Sequence, residues 1–452
     1  MTDGPDLIVA GAGGGLAGAL RAAELGLSVL VVEASEHFRR GNNTSMSTAM
    51  FPGAGSRWQA EAGIEDSPQR FVADIMAKTH GQADARLARM LAHVSAPLVE
   101  WLADSAGLPL SLVTDFNYPG HAVPRCHSIP GRHGSGVIDH LARRVTGHEN
   151  IELLVPAKLA EVRTDGDGVC AAVVRYPDGT REEIPARSVL LATNGYGADR
   201  DLVARHLPEI ADALYQGSDQ SLGDALRIGE KLGAATGYLD AYQGHAAIAA
   251  NAGTMVGWAT IIHGAILVDE DGRRFGDETR GYSEYAAELA ARPGATGWIV
   301  LDETIFQQCQ AFQDFRDTVA SGALVWGEDA AGIAAATALP ALADELALAA
   351  AIARGEREDP FGRTNWERPL SGRYAAVRVV PALFHTQGGL LVDEHAAVVD
   401  AEDRPIPGLY AAGGAAAGIS GHGAAGYLPG NGLLPAFGLA YLAADDVARR
   451  QA

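Results

Sequence analysis

The stretch from Leu7 to Glu33 constrains the fold more than any other. Leu7-Ile8-Val9-Ala10 is short and wholly apolar, and Gly11-Ala12-Gly13-Gly14-Gly15 follows at once. An Ala- and Leu-rich segment from Leu16 to Leu25 has helix composition, and Gly26 then leads into Ser28-Val29-Leu30-Val31-Val32, ending at Glu33. Strands apolar throughout, with a helix between them, belong to a parallel sheet buried on both faces. Glycines at a strand-to-helix turn let the backbone approach a pyrophosphate, the helix N-terminus faces the anion, and an acid ending the second strand accepts ribose hydroxyls. Counted from Gly11, the GxGxxG spacing asks for glycine at 16, where Leu16 stands; counted from Gly13 it is met by Gly15 and Gly18, but the strand end shifts. We read the loop as locally altered and starting at Gly11. Such a turn also serves NAD enzymes and occurs in α/β proteins that bind no nucleotide.

At 452 residues the chain exceeds one ordinary core, so two domains are expected. The balance of 35 Lys+Arg against 56 Asp+Glu, formally −21, repels phosphate backbones and anionic membranes. Nucleic acid is therefore excluded as a partner, and an anionic substrate needs a local cationic site. Cys126, Cys170 and Cys309 are far apart and in no CxxC spacing, which argues against disulfides, zinc and covalent haem. No uninterrupted apolar run is long enough for a spanning helix. Met1-Thr2-Asp3-Gly4-Pro5 runs straight into a strand-like segment and leaves no room for a secretory signal, so a cytoplasmic location is expected.

Further along, Ser67 to Ala106 is mainly helical, and residues 151–192 alternate as strands with Pro177-Asp178-Gly179 as a hairpin tip. Residues 221–235 read as a helix. From about 237 the character changes: Ala259–Val268 and Gly297–Leu301 read as strands, and Ala330–Ala353 as an Ala-rich helical part interrupted at Pro340. Polar Gly355–Ser371, with Pro360 and Pro369, is the expected linker back to the first domain. Gly388–Val392 and Gly408–Ala412 are then strands, and Leu433–Arg449 the last helix.

Several of these segments resemble one flavoprotein group at separated places. Ser188-Val-Leu-Leu-Ala-Thr193-Asn194-Gly195 is similar to the segment that returns to FAD in two-dinucleotide-fold flavoproteins, and Ile406-Pro-Gly-Leu-Tyr-Ala-Ala-Gly413 to their late strand. His385-Thr-Gln-Gly-Gly389 resembles the HTxGG element of the fumarate reductase/succinate dehydrogenase flavoprotein family. Gly272-Arg-Arg-Phe275 with Glu278-Thr-Arg280 resembles its capping-domain motif, and Leu239-Asp-Ala-Tyr-Gln-Gly-His245 its substrate-binding histidine segment. The resemblance runs from about Asp6 to Val447. It implies an α/β fold: a Rossmann-like FAD-binding domain of glutathione-reductase type (1–236 and 366–452), interrupted by an α+β capping domain (237–365), with the active site between cap and flavin.

The same resemblance implies residue roles. Arg280 would be the active-site acid, although a guanidinium seldom gives up its proton (pKa above about 12); the plainer reading is a solvated Arg paired with Glu278 or Glu284. His385 and His245 would donate hydrogen bonds to a substrate carbonyl or carboxylate, with His422 less well placed by its motif. The family's HGxNR segment appears as His422-Gly-Ala-Ala-Gly-Tyr427, without the arginine that clamps a second carboxylate, which disfavours fumarate itself. Gly426-Tyr-Leu-Pro-Gly-Asn-Gly432 is nearer the ketosteroid dehydrogenase and tricarballylate dehydrogenase branches, and Tyr427 would bond a substrate ketone. FAD contacts are implied for Gly11, Ala12, Gly13, Gly15, Glu33, Asn42, Ala157, Thr193, Gly195, Gly413, Gly414, Asn431, Leu433 and Leu434. Gly414 replaces the family's Glu, and Gly41-Asn-Asn-Thr-Ser-Met-Ser47 lacks the histidine that attaches FAD in succinate dehydrogenases, so FAD should be noncovalent.

The function this implies is an FAD-dependent oxidoreductase: α,β-dehydrogenation, or the reverse C=C reduction, of a carboxylic acid or cyclic ketone. A small-molecule substrate and a quinone or redox-protein electron acceptor are the expected partners. A flavin-carrying electron-transfer or accessory subunit is the alternative, then a flavin monooxygenase.

Overall fold

The computed structural model describes residues 4–115 and 117–451, so Met1–Asp3, part of the segment read above as too short for a signal, lie outside the described residues. The chain divides into two compact units: Met1–Leu207 with Gly217–Gln243 and Phe384–Ala452, and Pro208–Gln216 with Gly244–Leu383. The second unit therefore starts later than 237 and ends later than 365, and it takes in a short piece before the insertion.

The first unit is built on a six-stranded sheet in the order 397–399, 405–411, 189–191, 7–10, 29–32, 151–154. All pairs are parallel except that of the edge strand Ala397–Val399. The apolar run Leu7–Ala10 is central and fully buried, pairing Leu7 with Val29 and Ile8 with Val189. Gly11 then turns at φ +107°, and a Cβ there would lie 2.3 Å from the Ala192 carbonyl oxygen, so only glycine fits. The first helix runs Gly15–Glu24. Position 16 holds a buried Leu because the close approach falls one residue earlier: a Cβ on Gly15 would meet Val9 Cγ1 at 2.7 Å. Gly14 and Gly18 do the same against Ala436 and Ala440 of the last helix, Leu433–Gln451.

The second unit has its own sheet, in which the long strand Tyr374–Thr386 pairs with 214–215, 242–249, 297–302 and 324–327, and 266–268 pairs with 297–302. Two expectations fail here. Ala259–Ile262 is a helical turn, cut off by Gly264 at φ +110°, and only Ile266–Val268 is strand. Gly355–Ser371 is not a linker outside the core. Its polarity serves a buried ion cluster, in which Arg274 donates to Glu278 (2.7 and 2.8 Å) and Asp359 (2.8 Å), while Arg363 reaches Glu278 at 3.3 Å. Arg274, Glu278 and Arg363 are at most 4% exposed. Two guanidiniums balance two carboxylates, the condition under which buried charge is tolerated.

Removing one partner leaves an uncompensated buried charge. Glu278→Gln is expected to destabilise the chain by about 3–5 kcal/mol, read as a lower urea midpoint; an unchanged midpoint would mean that the cluster is already solvated.

Candidate active site

At the head of the first helix, Glu33 is 8% exposed, and its two oxygens accept from Ala12 N–H (2.7 Å) and Ser35 N–H (2.7 Å). Burial raises its pKa, against those backbone donors. The Glu33 carbonyl accepts from Ala157 N–H at 2.7 Å, tying a third loop to the same point. Gly13 is the open glycine of this loop, since a Cβ there would meet only Thr44 Oγ1, at 3.2 Å. A carboxylate held by backbone, beside a helix N-terminus faced by glycine, is built for ribose and pyrophosphate.

Two buried oxygens, Thr193 Oγ1 and Asn431 Oδ1, have no hydrogen-bond partner among the described residues. Such atoms cost about 1–3 kcal/mol each when left unsatisfied, so a polar non-protein group fits beside them. Gly195 and Gly414 are close approaches: a Cβ on Gly195 would lie 1.9 Å from Thr386 Oγ1, and one on Gly414 2.5 Å from Asn194 Oδ1. Where the family carries Glu, Asn194 at φ +64° already fills the space. Gly413 turns at φ +62°, and Leu433 and Leu434 are buried at the start of the last helix. Asn42 spends its side chain on Phe38 O (2.6 Å) and Ser45 N (2.8 Å), leaving any cofactor contact there to its backbone. Its neighbour Asn43 instead links Phe384 O (2.9 Å) to Ser218 N (2.7 Å). Taken together, these residues fit FAD.

The first unit also brings His385 and Tyr427 together, with ring centroids 5.8 Å apart. A Cβ on Gly432 would lie 3.0 Å from His385 Nε2 and 3.5 Å from Tyr427 Oη, so both polar tips converge beside a bare backbone. Asn431 Nδ2 donates to Ser420 Oγ (3.2 Å), Ser420 to Gln387 Oε1 (2.9 Å), and Gln387 Nε2 to His385 Nδ1 (3.0 Å). The Gln387 contact is shorter than that of Nδ1 to Thr386 O (3.4 Å) and favours the imidazole proton on Nε2, and burial lowers the His385 pKa to about 4, so the ring is neutral. The turn carrying Tyr427 is pinned from below. Buried Arg125, paired with Asp66 and Asp74, donates to His121 Nδ1 at 3.1 Å, and His121 Nε2 donates to Pro429 O at 2.9 Å. Sequence reading missed this relay and the Gln387–Ser420 pair; the only local signal was glutamine at the variable position of HTxGG.

In the second unit, His245 is 4% exposed, and burial lowers its pKa to about 3. Its Nδ1 accepts from Ala247 N–H at 3.1 Å, so Nε2 carries the proton, and its ring stacks on Tyr282 at 4.9 Å. Gly244 N–H donates to Ser283 Oγ at 3.0 Å, joining the histidine's strand to the helix Tyr282–Ala290. Arg280 ends the short turn Glu278–Arg280, fixed by the buried Arg274–Glu278 pair. Its side chain is 53% exposed and pairs with Glu284 and, at 3.8 Å, with Glu288. Glu278, offered above as a partner, is taken by Arg274 and Arg363. His422 is exposed and paired with Asp240 at 2.8 Å in the first unit.

His121, His127 and His245 are all buried, with pKa values lowered to about 4, 4 and 3 by desolvation. Unfolded, each titrates near 6.5 (about), so the unfolded chain takes up protons that the fold refuses. Stability is then complete above about pH 6.5 and falls toward about pH 4, at roughly 1.4 kcal/mol per histidine per pH unit. A urea midpoint that held steady between about pH 7 and pH 5 would contradict this.

Comparison with known proteins bears on the family and the fold. Residues 6–433 match the FAD binding domain family. The chain is 27% identical over 456 residues to the fumarate reductase (cytochrome) of Shewanella frigidimarina, covering 99% of this chain and 77% of that protein. Its structure is similar to the open conformation of a flavocytochrome c3 fumarate reductase (TM-score 0.80, 26% identity, covering 98% of this chain and 78% of that one). It shares its fold with the 3-ketosteroid delta1-dehydrogenase of Sterolibacterium denitrificans (TM-score 0.80, 22% identity, covering 99% and 100%). Among the described residues no helix is long and apolar enough to cross a membrane. The chain thus belongs to the FAD-binding domain family, among the fumarate reductase/succinate dehydrogenase flavoproteins, with ketosteroid dehydrogenases as neighbours in fold.

Proposed function

We propose that this chain interconverts CH–CH and C=C bonds beside a carbonyl or carboxylate, as an FAD-dependent oxidoreductase. The observation that carries the reading is the convergence of His385 Nε2 and Tyr427 Oη over Gly432, at the head of the last helix. FAD, when bound, supplies N5 as hydride donor or acceptor. The Gly11–Gly15 loop, Glu33, Thr193 and Asn431 would hold it, and the last helix would aim its N-terminal dipole at the flavin's N1/O2 edge.

In this reading His385, as a neutral Nε2–H donor, and Tyr427 bond the substrate oxygen on which charge grows as hydride moves. His245 does the same with its own Nε2–H. Arg280 handles the proton at the carbon next to the one exchanging hydride, and Glu284, paired with it, sets the direction of the guanidinium. Without an arginine in His422–Tyr427, a compact C4-dicarboxylate loses its second clamp, so a monocarboxylic acid or cyclic ketone is preferred. FAD is noncovalent, the location cytoplasmic, and the electrons pass on to a quinone, O2 or a redox protein. The exposure of Arg280 and its two glutamates also suit a second reading, a flavin-carrying electron-transfer subunit.

The test is anaerobic flavin bleaching against polycarboxylates, cycloalkanones and 3-ketosteroids. Bleaching by one of them supports the enzyme; reduction only by a partner protein supports the second reading. With the substrate found, Arg280→Ala is expected to lower turnover by about 100-fold or more with FAD retained, and survival within a few-fold would refute its role. Gly432→Ala, whose methyl group would crowd His385 Nε2, is expected to lower kcat/KM by about tenfold or more while the fold persists. Wild-type kinetics in that variant would remove the convergence as the site.

A further inference from the structure

Behind His385 three side chains form a hydrogen-bond chain that runs in one sense. Asn431 Nδ2 donates to Ser420 Oγ (3.2 Å), Ser420 to Gln387 Oε1 (2.9 Å), and Gln387 Nε2 to His385 Nδ1 (3.0 Å). Asn431 is fully buried, Ser420 is 1% exposed and Gln387 5%. Gly418 closes the chain on one side, since a Cβ there would lie 2.8 Å from Gln387 Oε1. A primary amide donates at one end and accepts at the other, and a hydroxyl does both, so turning the first amide over reverses every bond behind it. In the reversed sense Asn431 accepts from Ser420, Ser420 accepts from Gln387 Nε2, and Gln387 Oε1 accepts from a proton on His385 Nδ1. Thr386 O, 3.4 Å from Nδ1, would accept from the same proton. The ring thus has a partner on Nδ1 in either tautomer, and the sense of the chain chooses between them. The far end of the chain is open: Asn431 Oδ1 is buried and has no hydrogen-bond partner among the described residues.

We propose that Asn431, Ser420 and Gln387 are positioning residues through which bound FAD sets the His385 tautomer: Asn431 Oδ1 accepts an N–H or O–H of FAD, which fixes the sense of the chain and leaves the His385 proton on Nε2. This deepens the function proposed above and rests on its assignment of Asn431 to FAD. A buried oxygen without a partner asks for a donor. Only the orientation that turns Oδ1 toward that donor leaves Nδ2 to start the chain toward His385. Hydrogen bonds in a closed chain polarise one another, so the choice made at Asn431 reaches the ring three side chains away. The consequence is one of order. Nε2–H, the group assigned above to the substrate oxygen, is offered to substrate only with the cofactor in place.

The test is 15N NMR of the histidine side chains at about pH 8, where His385 is neutral, its two ring nitrogens being assigned by their loss in His385→Gln. A protonated and an unprotonated ring nitrogen resonate far apart, so the tautomer is read with no substrate present. Adding FAD to the wild-type apo-protein is expected to raise the ratio of the Nε2–H to the Nδ1–H tautomer by about tenfold or more. In FAD-loaded Asn431→Asp, whose carboxylate can only accept, the ratio is expected to reverse in favour of Nδ1–H. In Ser420→Ala, which cuts the chain with a small change of side chain, FAD is expected to bind without moving the ratio; this variant decides should Asn431→Asp not fold. A wild-type ratio indifferent to FAD overturns the relay, as does Nε2–H retained in FAD-loaded Asn431→Asp or a full response to FAD in Ser420→Ala. A ratio that answers to FAD in a protein whose flavin no substrate bleaches leaves the relay standing and refutes hydride transfer as the function. Bleaching with an indifferent ratio does the reverse, and a protein that takes up no FAD counts against both.

Discussion

One hydrogen bond organises the nucleotide end: Ala12 N–H to the Glu33 carboxylate, 2.7 Å long and buried. It exists only because the first two strands run parallel in a register that brings the end of one beside the end of the other. Gly11 must then bend at φ +107° under the Ala192 carbonyl, which ties the third strand's exit to the same point. Ala157 joins through the Glu33 carbonyl. Four separate chain segments are thus fixed around one carboxylate, whose remaining lone pairs we assign to the FAD ribose.

The histidines that we propose meet the substrate follow another rule, in which neutral donors are held in one tautomer by the groups behind them. His385 is oriented by Gln387, Ser420 and Asn431. His245 is oriented by the backbone of Ala247. Burial removes the positive charge from both imidazoles, which suits the role we propose for them, polarising an oxygen without acting as acids. The proton is left to a group of another kind, and Arg280, on a turn locked by the Arg274–Glu278 pair, is the residue we assign to it.

What the sequence disclosed and what it hid divide by range of interaction. The loop after Leu7–Ala10 was legible because glycine demand and the terminal acid lie within one βαβ unit, although the shift of the close approach from 16 to 15 needed coordinates. Pro340, Gly179 and the last helix were likewise local. The polar stretch 355–371 was misread as a linker because charge usually means solvent, whereas Asp359 and Arg363 answer charges more than 80 residues away in sequence. Ala259–Ile262 looked like strand because β-branched residues dominate it, yet Trp258 and Gly264 close a helical turn. The Gln387 chain carries no periodic signal at all.

The most direct test of this account is FAD binding by the apo-protein, followed by calorimetric titration and compared with Glu33→Gln. The account predicts a noncovalent one-to-one complex, with affinity for FAD weakened by about 10-fold or more in the variant. A chain that takes up no FAD, or a variant that binds it as tightly as the wild type, would contradict the central role given to that buried carboxylate.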